Sequence, residues 1–418
     1  MKENNVIIIG GGAAGLSAAL FASRAGARVT LLEKNEKFGK KLYITGKGRC
    51  NLCNACDLDT FLKNVPRNPR FLYSALRFLS PDALQALMNE LGCPTKVERG
   101  NRVFPVSDHA SDVSKALLNA LRGQALKLQV EVTGLETEDG HLTGVRVRDA
   151  GGMRVIQCDC AVLATGGLSY PLTGASGDGL RYAQALGHTI IDPLPSLVPL
   201  EVREDWPKQL QGLSLKNVCL TAAVHDKMKY REQGELLFTH FGISGPLTLT
   251  LSSVLARENW ADVSLSLDLK PALSPEQLDA RLLREFQISP RKALRNLLPA
   301  LLPSRMAELF PALCAVDGEK QAAQVSAAER GRIVTALKAL PMHVTRTRGM
   351  DEAVITSGGI SVREIVPSTM MSKKVSGLFF AGEMIDVDAF TGGFNLQIAF
   401  STGALAGDSA ARYQREEL

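Results

Sequence analysis

The 418-residue sequence lacks the compositional extremes that mark several classes of protein. Only eight residues are cysteine, which excludes a disulfide scaffold, and we find no repeat or low-complexity tract. Hydrophobic residues make up 45% and charged residues 22%, as in an ordinary globular chain and unlike a disordered one. Lys and Arg exceed Asp and Glu by only 48 to 43, a net charge of +5, and this weak bias argues against a nucleic-acid partner.

Long apolar runs are also scarce. The most apolar segment, residues 6–22, resembles a signal peptide, but glycine and polar positions interrupt it, and Lys2 is followed at once by Glu3. No other stretch approaches the ~20 apolar residues of a membrane span. We therefore expect a cytoplasmic protein with no membrane partner, whose cysteines are mostly free thiols.

A chain of this length predicts two or three domains. A proline-rich linker begins near Asp192, short strands are predicted for residues 195–270, and helices for residues 272–340. Two capping boxes, at Ser274 and Ser326, mark helix starts in the helical part. Glycine-rich, strand-like sequence then returns. The expected division is 1–192, 193–340 and 341–418.

The clearest motif is a glycine loop, Gly10-x-Gly12-x-x-Gly15. A β-branched strand precedes it, a helix rich in Ala and Leu follows, and the next strand ends at Glu33, as a dinucleotide-binding β-α-β unit requires. Gly10 permits the tight turn, Gly12 lets the backbone approach a pyrophosphate, and Gly15 lets the helix pack closely on the strand. The helix N-terminus offers N–H groups to the phosphates, and Glu33 can bind a ribose diol.

FAD is favoured over NAD as the dinucleotide. The fingerprint occurs once, and distant segments supply matching turns at Ala164-Thr165-Gly166-Gly167 and Ala381-Gly382-Glu383. These features together resemble the FAD proteins of the glutathione-reductase type. In that superfamily the first turn passes close to FAD, and the acidic residue of the second holds the ribityl chain.

Four further motifs make the resemblance more specific. They are Lys47-Gly48-Arg49-Cys50-Asn51, the stretch from Gly100 to Pro105, the stretch from Leu237 to Pro246, and Thr391-Gly392-Gly393-Phe394-Asn395-Leu396-Gln397. As a set, and over nearly the whole chain, they resemble the BaiN/YhiN-like family of bacterial flavoproteins. That family includes flavin-dependent reductases of conjugated enones in bile acids and aminoacetone oxidases.

The resemblance implies an α/β fold with a Rossmann-like FAD-binding domain formed by both chain ends, and an inserted domain that is part β-barrel-like and part helical. It implies an FAD-dependent oxidoreductase that transfers hydride between flavin N5 and a small organic substrate held between the FAD domain and the insert. NAD(P)H would bind transiently as donor, or O2 would accept electrons. The alternatives are an amine oxidase, a flavin-dependent RNA-modifying protein and a redox sensor.

The expected FAD ligands are spread over the first and last parts of the chain. They are Gly10, Gly12, Ala13, Ala14, Gly15, Glu33, Lys34, Gly48, Arg49, Cys50, Asn51, Val132, Ala164, Thr165, Gly166, Gly382, Glu383, Gly393, Asn395 and Leu396. Arg49 is expected to pair with phosphate. In the superfamily the equivalent strand contacts adenine, so the resemblance implies that the backbone of Val132 does so. The first amides of the last helix are expected to stabilise negative charge on the reduced flavin.

Two side chains are candidates for catalysis. His240 has the near-neutral acidity to protonate a substrate, and Tyr170 follows the first turn and could cover the isoalloxazine. Each has an ordinary alternative, a loop-holding histidine and a packed tyrosine.

The Cys50-x-x-Cys53-x-x-Cys56 run allows a redox dithiol, but free packed thiols are the simpler interpretation. No metal is expected, because no second CxxC or nearby His completes four ligands. Two departures from the family pattern stand out. Thr or Ser is expected near Cys53, and Gly is expected in place of Ala389.

Overall fold

The computed structural model describes residues 3–414 and divides the chain into two units. The first unit takes the segments up to Ser196 and from Met350 onward, and the second is Leu197–Gly349. We expected boundaries at 192 and 340. The observed ones lie later because Ile190–Ser196 pairs with a strand of the first unit, while Leu340–Thr347 pairs with strands of the second.

The elements follow in chain order. The first segment of the first unit contains strands β1 (Asn5–Ile9), β2 (Arg28–Leu32), β3 (Cys53–Asn54), β4 (Thr95–Glu98), β5 (Arg102–Pro105), β6 (Ala125–Lys127), β7 (Glu131–Glu138), β8 (His141–Asp149), β9 (Gly152–Gln157), β10 (Cys160–Leu163) and β11 (Ile190–Ser196). Its helices are α1 (Ala13–Arg24), α2 (Lys40–Ile44), α3 (Leu58–Lys63), α4 (Tyr73–Phe78), α5 (Pro81–Glu90), α6 (Ala110–Ala120) and α7 (Asp178–Ala185). The second unit contains strands β12 (Leu200–Val202), β13 (Ser214–Val224), β14 (Lys227–Phe238), β15 (Gly242–Ser244), β16 (Val263–Asp268) and β17 (Leu340–Thr347), with helices α8 (Trp206–Gln209), α9 (Pro246–Val254), α10 (Pro275–Ile288), α11 (Leu294–Leu297), α12 (Ser304–Leu313) and α13 (Ala327–Lys338). The last segment adds β18 (Ile355–Ile360), β19 (Leu378–Phe380) and α14 (Phe394–Ala411) to the first unit.

A parallel sheet in the order β19-β10-β1-β2-β6 forms the centre of the first unit. Val6–Ile9 of β1 is buried, as expected for a β-branched strand with both faces covered. The sheet joins strands from both ends of the chain. The Rossmann-like domain formed by the two chain ends is therefore confirmed.

Helices α1 and α14 pack against one another at very short range. A Cβ atom at Gly403 would collide with the carbonyl of Ala14, and one at Gly407 with the carbonyl of Ala18. The two glycines therefore let the last helix lie directly on the first. This packing brings the start of the sequence together with its end.

The second unit has its own hydrophobic core. Its six strands close into a barrel in the order β12-β15-β14-β13-β16-β17, and helices α10 to α13 follow β16 in the chain. Both predicted capping boxes are present, since Ser274 and Ser326 each cap the backbone N–H three residues later. The expected barrel and helical parts are thus confirmed. Within residues 3–414, no helix combines the length and the apolar character needed to cross a membrane.

Candidate functional site

The glycine loop lies at the carboxyl end of β1. Gly10 has φ of 102°, and its N–H donates to the Leu32 carbonyl at 2.8 Å. A Cβ at Gly15 would collide with the Gly10 carbonyl, so the helix starts in direct contact with the turn. A Cβ at Gly12, in contrast, would meet no atom within 4 Å. The loop therefore keeps one bare backbone surface open, as close approach of a pyrophosphate requires.

The start of α1 next to this loop is free for an anion. Among the described residues, no side chain caps the helix and its first turn holds no acidic group. The first N–H groups of a helix have no partner within the helix. The amides around Ala13 and Ala14 can therefore bind a phosphate.

Glu33 lies beside the glycine loop. One carboxylate oxygen accepts a hydrogen bond from Gly11 N–H at 2.8 Å, and the other accepts two from Asn35. The carboxylate is thus held in place while retaining lone pairs for a ribose diol. Lys34 was expected to bind the cofactor. Its ammonium instead donates hydrogen bonds to Ser176 Oγ and Asp178 Oδ2.

Val132 lies close to Glu33 through the backbone. The N–H of Val130 donates to the Glu33 carbonyl at 3.0 Å, and Val132 is buried in β7. Its carbonyl accepts a hydrogen bond from the Tyr182 hydroxyl at 2.5 Å. Val132 and Glu33, the residues expected to contact adenine and ribose, therefore lie near one another. The Tyr182 hydroxyl supports the backbone of Val132 by its hydrogen bond.

The two distant turns also meet the glycine loop. Ala164 follows β10, and its N–H donates to the Ile9 carbonyl at 2.9 Å. Thr165 and Gly166 continue this turn. Gly382 follows β19, and a Cβ there would approach that of Ala14 to 2.8 Å. The turns after β1, β10 and β19 therefore share one edge of the sheet, the carboxyl edge at which open α/β sheets bind ligands.

Glu383 belongs to a buried polar cluster at this edge. Its carboxylate accepts hydrogen bonds from Lys41 Nζ at 2.5 Å, Ser169 Oγ at 2.7 Å and Thr356 N–H at 2.9 Å. Burial alone would raise the pKa of Glu383. The positive charge of Lys41 and the hydrogen bonds from Lys41, Ser169 and Thr356 outweigh burial, so the pKa of Glu383 is lowered. Glu383 is therefore an ionised, fixed carboxylate.

Arg49 has other partners than the phosphate expected for it. Its guanidinium binds the carboxylates of Glu98 and Asp108 and lies 4.1 Å from the centre of the Phe104 ring. Hydrogen bonds to Glu98 first and Asp108 second raise its pKa. Because both carboxylates already balance this charge, we assign Arg49 to holding its own loop.

The thiols of Cys50 and Cys53 are fully buried. Burial raises the pKa of Cys50 to about 12 and raises that of Cys53 strongly. A thiol attacks as the thiolate, so neither side chain is activated for disulfide exchange. Both pack in the core of the first unit, which favours the simpler of the two interpretations.

The start of α14 is the other helix terminus expected at the cofactor. Gly393 precedes it with φ of 103°, and within residues 3–414 no side chain caps it. The Asn395 side chain bonds both backbone groups of Ala389, at 2.8 and 2.6 Å, so only its backbone N–H can face a ligand, as can that of Leu396. The backbone of Ala389 does not have a left-handed φ, so alanine fits where glycine was expected.

The loop of Gly48 and Asn51 lies against this helix start. Gly48 belongs to a left-handed turn, in which Gly46 has φ of 56° and Lys47 has φ of 59°. A Cβ at Gly393 would approach Asn51 Oδ1 to 2.9 Å. Residues that are far apart in sequence thus form one surface.

The two catalytic candidates lie in different units. Tyr170 is half-buried in the first unit, with Lys41 Nζ 5.8 Å from its ring centre, and burial together with Glu352 raises its pKa. His240 is exposed between β14 and β15 of the second unit, its ring edge-on to Phe241.

Lys41, Tyr182 and Asn35 were missed by the sequence reasoning. Lys41 lies in a lysine-rich stretch of the sequence, where nothing in the pattern distinguishes it from its neighbours. The other two lie outside any motif.

Comparison with protein families gives one match over almost the whole chain. The model described as "HI0933-like protein Rossmann domain" matches residues 4–409. The chain is 30% identical to the 3-dehydro-bile acid delta(4,6)-reductase of Clostridium scindens, covering 98% of this chain and 99% of that protein. It is 31% identical to the ribosomal RNA dihydrouridine synthase of Escherichia coli, covering 96% of each. The Haemophilus influenzae protein of that name is 32% identical, with coverage of 97% and 98%.

Solved structures are similar in fold. The 3-ketosteroid delta1-dehydrogenase of Sterolibacterium denitrificans aligns with a TM-score of 0.54 at 15% identity, over 98% of this chain and all of that one. A flavocytochrome c3 fumarate reductase aligns with a TM-score of 0.51 at 15% identity, over 98% and 78%. At this identity the likeness concerns the fold, and it agrees with the Rossmann-type α/β architecture.

Proposed function

Because the chain belongs to the HI0933-like Rossmann-domain family, and is thereby a flavin-dependent oxidoreductase, we propose that its flavin is FAD and that it reduces a carbon–carbon double bond conjugated to a carbonyl group. The observation that carries the proposal is the shared carboxyl edge of β1, β10 and β19. There the glycine loop, two further turns and the uncapped start of α1 lie together, and the uncapped start of α14 belongs to the same unit.

The residues at this edge would hold the parts of FAD in turn. The amides at the start of α1 would hold the pyrophosphate, Glu33 the adenosine ribose, and the backbone of Val132 the adenine. The turns at Thr165-Gly166 and Gly382-Glu383 would border the ribityl chain. The fit is supported by the open space beside Gly12, which a side chain would occupy.

The start of α14 would face the isoalloxazine. Its amides and the positive end of its dipole would stabilise negative charge on the reduced ring, and no acidic side chain within its first turn opposes this. When bound, FAD supplies a hydride from its reduced N5. NAD(P)H, bound transiently, would be the source of that hydride.

The names of the relatives favour the conjugated double bond. A 3-dehydro delta(4,6) steroid has its double bonds in conjugation with a ketone, and forming dihydrouridine saturates a uracil double bond next to a carbonyl. Both reactions add hydride to one carbon and a proton to the other. The two substrates differ greatly in size but share this chemistry.

The proton needs a donor on this chain. Tyr170 carries a phenol O–H and is half-buried in the first unit, so it is one candidate donor. His240 is the second candidate, as an exposed imidazole on a loop of the barrel unit. We propose both as proton donors, to be separated by mutation.

The test is an anaerobic titration of the purified protein followed by flavin absorbance. We expect FAD to be released on denaturation, NADPH to bleach the visible absorption of the oxidised flavin, and a conjugated steroid enone to restore it. Bleaching by a primary amine with formation of peroxide would identify an amine oxidase instead. A colourless protein that does not bind FAD would refute the proposal.

A second candidate substrate is uridine in ribosomal RNA. It is favoured by two relatives of that name, at 31% and 32% identity over almost their full length. The test is mass spectrometry of ribosomal RNA incubated with the reduced enzyme. A gain of two hydrogens on a uridine, with no reoxidation by the enone, would select this substrate.

A further inference from the structure

The side-chain oxygen of Asn51 is buried without a hydrogen-bond donor. Within residues 3–414, no donor lies within hydrogen-bonding distance of Oδ1. Asn54, three residues later, is the opposite case, because its side-chain nitrogen donates to the carbonyls of Gly100 and Gly392 at 3.0 and 3.1 Å. Buried polar atoms in native proteins nearly always have a partner, so the unpaired oxygen of Asn51 requires an explanation.

The surroundings of this oxygen contain an unfilled set of donors. Asn51 Oδ1 lies against Gly393, where a Cβ would approach it to 2.9 Å. Gly393 precedes α14, whose first amides, including those of Asn395 and Leu396, have no partner within the helix and no side-chain cap. A single unpaired acceptor thus borders a group of unpaired donors.

This pattern is complementary to one edge of a flavin. The pyrimidine edge of the isoalloxazine carries a carbonyl oxygen at C2, an N–H at N3 and a carbonyl oxygen at C4. It therefore presents acceptor, donor and acceptor in sequence. Helix amides can donate to the O2 position, and the neighbouring N3–H then needs an acceptor on the protein.

We propose that Asn51 Oδ1 accepts the hydrogen bond from flavin N3–H, beside the amides of α14 that donate to O2. The proposal rests on the proposed function only in that FAD is the ligand. It gives the unsatisfied oxygen of Asn51 a hydrogen-bond partner, which the flavin supplies. It also gives Asn51 and Asn54 different roles, recognition of the cofactor for the first and support of the Gly392 loop for the second.

The two roles predict opposite results for two matched variants of the full chain. Removing an unsatisfied buried acceptor costs no hydrogen bond, so the apoprotein of Asn51→Ala should have a urea midpoint no lower than wild type. Its FAD affinity, measured by quenching of flavin fluorescence, should fall about fivefold to tenfold, the value of one hydrogen bond. Asn54→Ala should lower the urea midpoint of the apoprotein, because it removes two satisfied bonds.

A flavin analogue tests the atom itself. N3-methyl-FAD lacks the N–H donor, so wild type should bind it about tenfold more weakly than FAD, while Asn51→Ala should bind the two within about twofold. Equal discrimination by wild type and Asn51→Ala would overturn the proposal, as would a urea midpoint of Asn51→Ala as low as that of Asn54→Ala. If wild type binds FAD but reduces no conjugated double bond, the proposed reaction fails while this affinity test still decides the role of Asn51.

Discussion

Lys41 and Glu383 are 342 positions apart in the chain, yet the Lys41 ammonium donates a hydrogen bond to the Glu383 carboxylate at 2.5 Å. Only 26% of the Lys41 side chain and 11% of the Glu383 side chain are exposed. The pair joins α2 to the turn after β19, so it connects the two chain ends at the carboxyl edge of the central sheet. Its removal should therefore affect both the fold and the site.

We predict that Lys41→Met destabilises the protein by about 2 kcal/mol at pH 7, because it leaves a largely buried carboxylate without its cation. The folded-state pKa of Glu383 lies below its ordinary value of 4.5. The contribution is therefore fully present above that value and is lost as the pH falls through the lowered pKa. Urea unfolding of wild type and variant should converge as the pH falls below 4.5.

Lys40→Met is the matched control on the same helix. Lys40 pairs with Glu36, whose side chain is 62% exposed, so its removal should leave the urea midpoint unchanged. Equal effects of the two variants would refute a special role for the buried pair.

The open space beside Gly12 leads to a second prediction. In Gly12→Ala, the new methyl group meets no protein atom within 4 Å, so the stability of the apoprotein should change by less than about 1 kcal/mol. FAD affinity should fall on the order of tenfold or more, because the methyl group occupies the pyrophosphate position. Equilibrium dialysis and urea unfolding measure the two effects separately.

Gly331→Ala serves as the control for this glycine. Gly331 lies within α13, where an added methyl group also meets no atom within 4 Å, so the variant should be more stable by about 0.5–1 kcal/mol and bind FAD normally. Unchanged FAD affinity in Gly12→Ala would contradict the assignment of the glycine loop.

The buried thiols allow a prediction about alkylation. With a pKa of about 12, roughly one Cys50 side chain in ten thousand is a thiolate at pH 8. Iodoacetamide should therefore modify the half-buried Cys56 first and leave Cys50 and Cys53 intact in the native protein. Peptide mass spectrometry distinguishes these sites, and all eight thiols should react in urea. Rapid modification of Cys53 would revive the dithiol hypothesis.

The role of His240 as a proton donor can be tested by His240→Gln. The rate at which the substrate reoxidises reduced flavin should fall about a hundredfold, as for the loss of a general acid, while the flavin content stays constant. His343→Gln is the control, since His343 is an exposed histidine of the same unit held by Glu204 at 2.6 Å. Stopped-flow absorbance gives the rate. A result in which both variants behave like wild type would leave Tyr170 as the proposed donor.

The parts of the site that the sequence predicted are those made by short-range geometry. The glycine spacing, the strand before it and Glu33 at the end of the next strand determine a local shape, and the structure contains that shape. The capping boxes at Ser274 and Ser326 are equally local. In each case, the local shape is set by contacts between residues that are close together in the sequence.

The partners of long side chains were less predictable. Arg49 and Lys34 were expected at the cofactor, and both bind carboxylates instead. Asn395 was expected there too, and its side chain serves the backbone of Ala389. A flexible cationic or amide side chain binds whichever acceptor the fold brings within reach. The sequence does not contain the distance between the side chain and that acceptor.

The sequence by itself determined the glycine loop and the change from strands to helices within the second unit, because hydrophobic periodicity and turn residues act over a few positions. Only the tertiary structure decided that Lys41 meets Glu383, that Tyr182 supports Val132, and that the unpaired oxygen of Asn51 lies against Gly393. The physical reason is that each contact joins residues at least 50 positions apart, which only the folded chain brings within reach. Their energies depend on burial and distance, which exist only once the chain has folded.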